Sequence, residues 1–233
     1  MKIEIKRDNK TQLFDITTKV TTLLSALYYI KEHIDSSLTF GSGCRSGVCG
    51  ACAVIVNGKE VLACSTPVND KDKIEPLRYH KVQRDLLVDR CSNITKSLKQ
   101  TNAHLQSYKP TPLDSKDEEL NQIQSDCILC SSCYSACPVF AVNGDFAGPY
   151  ALTRVYRYAI DKRESKKGTL ISSVQQNGVW DCTLCGECTL VCPQGIDPKS
   201  DILQLRSLSI GEGYSDPTFV SMDFGGGFDS NWQ

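Results

Sequence analysis

Cys127-Ile-Leu-Cys130-Ser-Ser-Cys133-Tyr-Ser-Ala-Cys137-Pro138 has a spacing that returns as Cys182-Thr-Leu-Cys185-Gly-Glu-Cys188-Thr-Leu-Val-Cys192-Pro193. Both runs follow the pattern C-x2-C-x2-C-x3-C-P, which binds cubane iron–sulfur clusters in pairs. In such pairs the fourth cysteine of each run ligates the cluster of the other run. Crossing the ligands predicts two complete 4Fe–4S sets: Cys127, Cys130, Cys133 and Cys192 for one (the middle cluster), and Cys137, Cys182, Cys185 and Cys188 for the other (the third cluster).

A different cysteine pattern predicts another site upstream. Cys44, Cys49 and Cys52 are spaced C-x4-C-x2-C, and Cys64 follows at a distance, which is the spacing of plant-type 2Fe–2S ferredoxins. Glycines in the same loop allow the backbone to bend and bring amide N–H groups close to sulfur. The three sets leave one of the thirteen cysteines, Cys91, for which a lone buried thiol is expected.

Disulfide bonds and structural zinc are the alternative uses of so many cysteines. Disulfides are typical of short secreted chains, whereas the start of this chain, MKIEIKRDNK, contains no apolar signal core. Zinc sites favour two paired CxxC elements over the spacings found here. Iron–sulfur clusters are therefore the leading prediction, and colour and iron content would separate them from zinc.

The composition of the chain and the motifs it contains reduce the number of functional classes to consider. The 233 residues include 26 Lys and Arg against 27 Asp and Glu, so no strong electric field favours nucleic acid as a partner. No stretch approaches the roughly 20 apolar residues that cross a bilayer. The sequence contains no phosphate-binding loop, nucleophile elbow or HExxH helix. With three clusters and no catalytic residues, the chain is predicted to relay electrons.

The predicted fold class is α+β. A β-grasp, plant-type ferredoxin domain is expected over residues 1–92, an all-α, bacterial-ferredoxin-like domain over 93–210, and an extended tail over 211–233. The local patterns predict hairpins over 3–16 and 53–63, a helix from Thr21 or Thr22 to Ile34, a strand over 74–77, and helices over 82–89, 150–162 and 202–208.

Beyond the cysteines, the chain resembles the iron–sulfur subunit of succinate dehydrogenase and fumarate reductase as far as about residue 205. The matching segments are Asn57-Gly58-Lys59 with Leu62-Ala63-Cys64, Arg84-Asp85-Leu86-Leu87-Val88-Asp89, Phe146-Ala-Gly148-Pro149, Tyr156-Arg157-Tyr158, Ile160-Asp161-Lys-Arg163 and Cys192-Pro193-Gln-Gly195-Ile-Asp-Pro198.

The resemblance implies a partner flavoprotein that carries FAD and interconverts succinate and fumarate. Electrons would pass between FAD and the 2Fe–2S cluster, then through the middle cluster to the third, and on to a quinone beside a membrane anchor. The expected location is cytoplasmic, at the inner face of the membrane through partner subunits. The alternatives are the subunit of another flavin-linked enzyme, such as a thiol-coupled fumarate reductase, and a free ferredoxin-like carrier.

Two departures from the family pattern affect the third cluster and the anchor. Most members bind a 3Fe–4S cluster because the position of Cys185 is not cysteine, so a 4Fe–4S cluster is expected here unless Cys185 turns away. Members with haem anchors place Ser and Trp after the first run and His within the second, where this chain has Val139, Val142 and Thr183. These differences predict a cysteine-rich, heterodisulfide-reductase-like anchor and a low-potential acceptor.

Overall fold

The first part of the structure is a mixed sheet with one helix packed on it. A computed structural model describes residues 1–7 and 10–217. The elements are β1 (Lys2–Arg7), β2 (Lys10–Asp15), α1 (Leu23–His33), β3 (Ala53–Val56), β4 (Lys59–Leu62) and β5 (Lys73–Glu75). In this part of the described chain the strands form one sheet in the order β2-β1-β5-β3-β4. β1 and β5 are parallel, and the other neighbours are antiparallel.

Local sequence explains these elements. Ile3 and Ile5 are fully buried on one face of β1, as the two-residue period of a strand requires. Thr22 caps α1 by accepting a hydrogen bond from the Ser25 amide, and the apolar stripe of α1 joins the same core as Ile3. Both hairpins and this helix are confirmed, although part of the predicted turn between β1 and β2 lies outside the described residues.

The helix predicted over Val82–Asp89 is wrong. The structure has two short antiparallel strands instead, β6 (Lys81–Arg84) and β7 (Leu87–Asp89). Asp85 lies between them with a left-handed φ of 48°, which ends any helix at that point. Its buried carboxylate accepts a hydrogen bond from Arg7 Nε at 2.9 Å, so a contact distant in sequence fixes the local turn.

From Arg90 onward the elements of the described chain are helical. They are α2 (Arg90–Gln100), α3 (Ser115–Ser125), α4 (Ser132–Ala136), a 3-10 turn (Pro138–Ala141), α5 (Pro149–Ala159), α6 (Lys167–Ser172), α7 (Glu187–Leu190) and α8 (Pro198–Gly211). None of these helices has the length and apolar character needed to cross a bilayer.

The two predicted helices of this region exist with different ends. The first stops at Ala159, because Asp161 accepts hydrogen bonds from the backbone and side chain of Arg163 instead of continuing the helix. The second starts earlier, at Pro198, where the Asp197 carboxylate caps the Ser200 amide. Of the tail predicted over 211–233, residues 218–233 lie outside the described part.

A buried carboxylate ties the helices together. Asp201 on α8 accepts hydrogen bonds from Gln124 on α3 at 3.0 Å and from Thr153 on α5 at 2.9 Å. Burial raises the pKa of Asp201 above its usual value, and the two donors favour its charged form. The network therefore fixes α3, α5 and α8 around a core that includes Leu152 and Leu205.

A second buried network joins the sheet to the helical part. The Glu60 side chain on β4, 2% exposed, accepts from Ser135 Oγ on α4 at 2.7 Å and from Arg78 Nη1 at 3.1 Å. The backbone N–H of Arg78 also donates to Ser135 Oγ at 2.9 Å. Glu60 thus connects a strand, a loop and the helix that carries Cys133.

Replacing Glu60 with alanine should destabilise the protein by about 2–4 kcal/mol, because buried polar partners lose their acceptor. The matched control is Glu75→Ala, which removes an exposed ion pair with Lys6 and should cost less than about 1 kcal/mol. Anaerobic denaturant unfolding of the iron-loaded chain measures both. Equal losses in the two variants would contradict the role assigned to Glu60.

Candidate metal centres

The first cysteine loop is held by backbone amides that point at sulfur. It connects α1 to β3, and Cys64 follows β4. The amide of Cys44 donates to Cys49 Sγ at 3.4 Å, the amide of Ser46 to Cys44 Sγ at 3.4 Å, and that of Ala51 to Cys49 Sγ at 3.5 Å. Such donors stabilise negative charge on sulfur.

The thiols of this loop lie in two environments. Cys44 and Cys49 are exposed, whereas Cys52 is buried. Hydrogen bonds, the largest from the Ser46 amide, lower the pKa of Cys44 to about 6, while burial raises the pKa of Cys52 to about 11. One edge of the loop therefore faces solvent, and the other is embedded in the protein core.

The predicted crossed set for the middle cluster lines one cavity. Three of its members come from the first run and one from the second, and the rest of the lining is mostly apolar: Cys127, Cys130, Cys133 and Cys192, with Ile128, Tyr150 and Ile196 among the others. Burial raises the pKa of Cys127, Cys133 and Cys192. Four thiols around an apolar cavity are the donor set of a cubane cluster, whose iron supplies the charge that lets buried thiols ionise.

The predicted set for the third cluster is also drawn together. Burial raises the pKa of Cys188 to about 12, and the nearby charges of Cys182, Cys137 and Cys185 raise it further. Burial likewise raises the pKa of Cys137 to about 11, with contributions from Cys182 and Cys185. Cys137 of the first run therefore lies within electrostatic range of Cys182, Cys185 and Cys188.

The two runs share one backbone conformation. The residue two positions after the first cysteine is left-handed in both, with φ of 51° at Leu129 and 56° at Leu184. The residue four positions after it is also left-handed, with φ of 66° at Ser131 and 86° at Gly186. The sequence repeat is therefore also a structural repeat, because the two cysteine loops bend at the same positions.

Cys185 and Cys91 are both exposed. Cys185 is the exposed member of the predicted third set. Cys91 is exposed, so the expectation of a buried thiol is wrong. It lies in the first turn of α2, where the side chains that reach the core come later, at Ile94 and Leu98.

The first and middle loops touch each other. A Cβ built on Gly50 would lie 2.6 Å from Cys130 Cβ and 2.7 Å from Cys130 Cα, so no side chain fits between the two backbones. Gln194, two residues after Cys192, also donates to the carbonyl of Gly47 at 3.1 Å. Cysteine loops from both halves of the chain therefore meet at one junction.

Sequence reasoning missed the arginines beside these loops. Arg90 and Arg206 donate to backbone carbonyls of cysteine-bearing segments. Neither belongs to a recognisable motif, and only the packing of α2 and α8 brings them to the loops. The sequence offers only a weak signal for these two residues: it contains arginines that could reach a cluster-binding run once the chain has folded.

Comparison with known families gives two matches that follow the cysteine patterns. Residues 2–95 match a family described as a 2Fe-2S iron-sulfur cluster binding domain. Residues 123–196 match one described as a 4Fe-4S dicluster domain.

Comparison with individual proteins gives similar chains, two of them of matching length. The fumarate reductase iron-sulfur subunit of Haemophilus influenzae is 38% identical over 79% of this chain and 80% of its own. That of Mycobacterium tuberculosis is 34% identical over 87% of each chain. One subunit of the fumarate reductase (CoM/CoB) of Methanothermobacter marburgensis is 35% identical over 88% of this chain, and the match spans only 42% of that longer protein.

A solved structure shows the same fold. A chain of the Mycobacterium smegmatis Sdh1 complex in the apo form superposes with a TM-score of 0.80. The match covers 92% of this chain and 97% of the other, at 23% sequence identity. This likeness concerns the fold: a sheet-containing part followed by a helical part.

Proposed function

This chain belongs to the family of fumarate reductase and succinate dehydrogenase iron–sulfur subunits, and we infer from that membership that it is the electron-transfer subunit of a succinate/fumarate oxidoreductase complex. Its cofactors are 2Fe–2S and 4Fe–4S clusters, and FAD resides on a flavoprotein partner. The clusters supply one-electron redox chemistry. The chain holds and orders them, while substrate conversion takes place on the flavoprotein.

One observation supports a role in electron relay: the cysteine loops lie next to one another in a continuous series. The first loop touches the middle one at Gly50 and Cys130, and the middle cavity includes Cys192 from the second run. A series of adjacent sites suits passage of electrons from one end of the chain to the other. The chain's own residues keep the first and middle loops in contact and line the middle cavity with mostly apolar side chains.

The proposed ligands follow the crossed arrangement. Within a β-grasp domain, the 2Fe–2S cluster is held by Cys44, Cys49, Cys52 and Cys64. Within an all-α two-cluster domain, the middle 4Fe–4S cluster is held by Cys127, Cys130, Cys133 and Cys192, and the third cluster by Cys137, Cys182, Cys185 and Cys188. The shared cavity of the middle set and the matching spacing of the two cysteine runs support this assignment.

The function is tested by following the clusters themselves. Clusters reduced with dithionite, after removal of excess reductant, should be reoxidised by fumarate when the flavoprotein is present and should stay reduced when it is omitted. EPR and visible absorption report the redox state. Reoxidation that is independent of the flavoprotein, or none with it, would contradict the proposal. Purification without a flavoprotein would favour the free carrier.

Whether Cys185 binds iron determines whether the third cluster is 4Fe–4S or 3Fe–4S. The loaded chain should contain about ten irons, from one 2Fe–2S and two 4Fe–4S clusters, without a stoichiometric oxidised 3Fe–4S EPR signal. Cys185→Ser should reduce the count to about nine and produce that signal, because most members of the family, which have no cysteine at this position, bind a 3Fe–4S cluster there. About nine irons with a full 3Fe–4S signal in the unmodified chain would show that Cys185 is not a ligand.

The partners we propose beyond the flavoprotein are a cysteine-rich membrane anchor and, through it, a quinone or a low-potential acceptor. The complex would lie at the inner face of the membrane. A fourth thiolate in the third set and the apolar Val139 and Val142 support this anchor over a haem-binding one. A dihaem spectrum of the purified complex would contradict it.

The similarity to the Methanothermobacter marburgensis protein favours one second candidate, a thiol-coupled fumarate reductase. Turnover of the complex with a thiol pair as electron donor, compared with a quinol, separates the two candidates. Turnover with quinol alone would exclude the thiol-coupled candidate.

A further inference from the structure

Arg90 places a positive charge at the junction between the first and middle cysteine loops. Asp89 caps α2 through the Ser92 amide at 3.1 Å, which places Arg90 at the first position of the helix. From there Arg90 Nη1 donates to the carbonyl of Gly50 at 2.7 Å and to the carbonyl of Cys130 at 3.2 Å. One nitrogen therefore bridges both loops.

The charge of Arg90 is directed at these loops and not at an acid. Among the ion pairs of residues 1–7 and 10–217, none includes Arg90. Its side chain is half-buried, where electrostatic effects exceed those at an exposed surface. The two loops that it bridges carry Cys49, Cys52 and Cys130, which are proposed cluster ligands.

We propose that Arg90 is a positioning residue with an electrostatic effect: it clamps the first and middle cluster loops together, and its charge stabilises the reduced forms of both clusters. This inference rests on the proposed function for the identity of the clusters. Reduction adds negative charge to a cluster, so a nearby fixed cation raises its reduction potential. The clamp keeps the first and middle loops at a constant separation.

Arg206 provides a matched comparison at the other end of the series. It donates from Nη2 to the carbonyl of Cys182 at 2.6 Å and from Nε to the carbonyl of Val179 at 2.8 Å. Its guanidinium lies 5.5 Å from the centre of the Trp180 ring. Arg206 therefore contacts the backbone of the third cluster loop in the way that Arg90 contacts the backbone of the first and middle loops.

The test is a potentiometric titration of the iron-loaded full chain, monitored by EPR. Arg90→Gln should lower the midpoint potentials of the first and middle clusters and leave the third unchanged, whereas Arg206→Gln should lower only the third. Arg90→Lys should restore most of the lost potential because it keeps the charge. The spin–spin interaction between the first two reduced clusters should weaken in Arg90→Gln.

Several outcomes would overturn the proposal. Unchanged potentials in Arg90→Gln would do so, as would equal shifts in Arg90→Gln and Arg90→Lys. If Arg90→Gln loses iron, recovery of iron in Arg90→Lys supports the clamp, and loss in both variants argues against a role for the charge. No succinate or fumarate enters this titration, so a failure of the proposed function toward those substrates leaves its result intact.

Discussion

Cys192→Ala should lose the middle cluster and keep the third, although Cys192 belongs to the second cysteine run. The reason is that Cys192 lines the same cavity as Cys127, Cys130 and Cys133. Cys137→Ala should have the opposite effect, because the crossed arrangement assigns Cys137 to the set that contains Cys182, Cys185 and Cys188. Each substitution should remove up to about four irons per chain, which is one cubane cluster.

Iron analysis and EPR of the anaerobically purified chain distinguish the two losses. Cys91→Ala is the control, since Cys91 is an exposed cysteine outside all three sets, and its iron content should not change. Loss of the third cluster in Cys192→Ala, with the middle cluster retained, would mean that each run binds its own cluster. That outcome would refute the crossed arrangement.

Gly50→Ala should separate the first and middle loops and destabilise the protein by about 3–5 kcal/mol. A methyl group at Gly50 would overlap the backbone of Cys130, and backbone atoms cannot rotate away as a flexible side chain can. For a chain of this length, such a loss corresponds to a fall of roughly 10 °C in the melting midpoint.

The control for Gly50→Ala is Gly47→Ala in the same loop. Both glycines have positive φ, 79° at Gly47 and 68° at Gly50, so both substitutions carry the same conformational cost of about 1–2 kcal/mol. A Cβ at Gly47 meets no atom within 4 Å. Anaerobic melting at a fixed scan rate compares the two variants. Equal midpoints would show that the contact between the loops contributes nothing to stability.

Cysteine spacing predicted the two iron–sulfur family matches and the cluster types, while the ligand sets stay predictions. Ligand residues of clusters must occur at fixed intervals along a loop, and those intervals are visible in sequence. The capped helix after Thr22 and the buried alternation of Ile3 and Ile5 were also predictable, since both depend on short-range pattern. These features are local, so the chain alone specifies them.

Features that depend on distant contacts were not predictable. The segment around Asp85 has an apolar pattern compatible with a helix, but Arg7, far away in sequence, fixes the turn that divides it into two strands. Arg90 reaches the cysteine loops only because α2 begins beside them. The exposure of Cys91 likewise depends on which face of α2 meets the core.

The shared cavity has a consequence for how the protein is made. In the crossed arrangement the middle cluster needs Cys192, so it cannot be completed while the ribosome is still translating the segment between the two runs. The four cysteines of the first set lie together between residues 44 and 64 and emerge much earlier. At ~5–20 residues per second, the delay from Cys64 to Cys192 is on the order of ten seconds. If the ligands are crossed as proposed, the 2Fe–2S site can thus be loaded during synthesis, whereas the two cubane sites must wait until the second cysteine run has been translated.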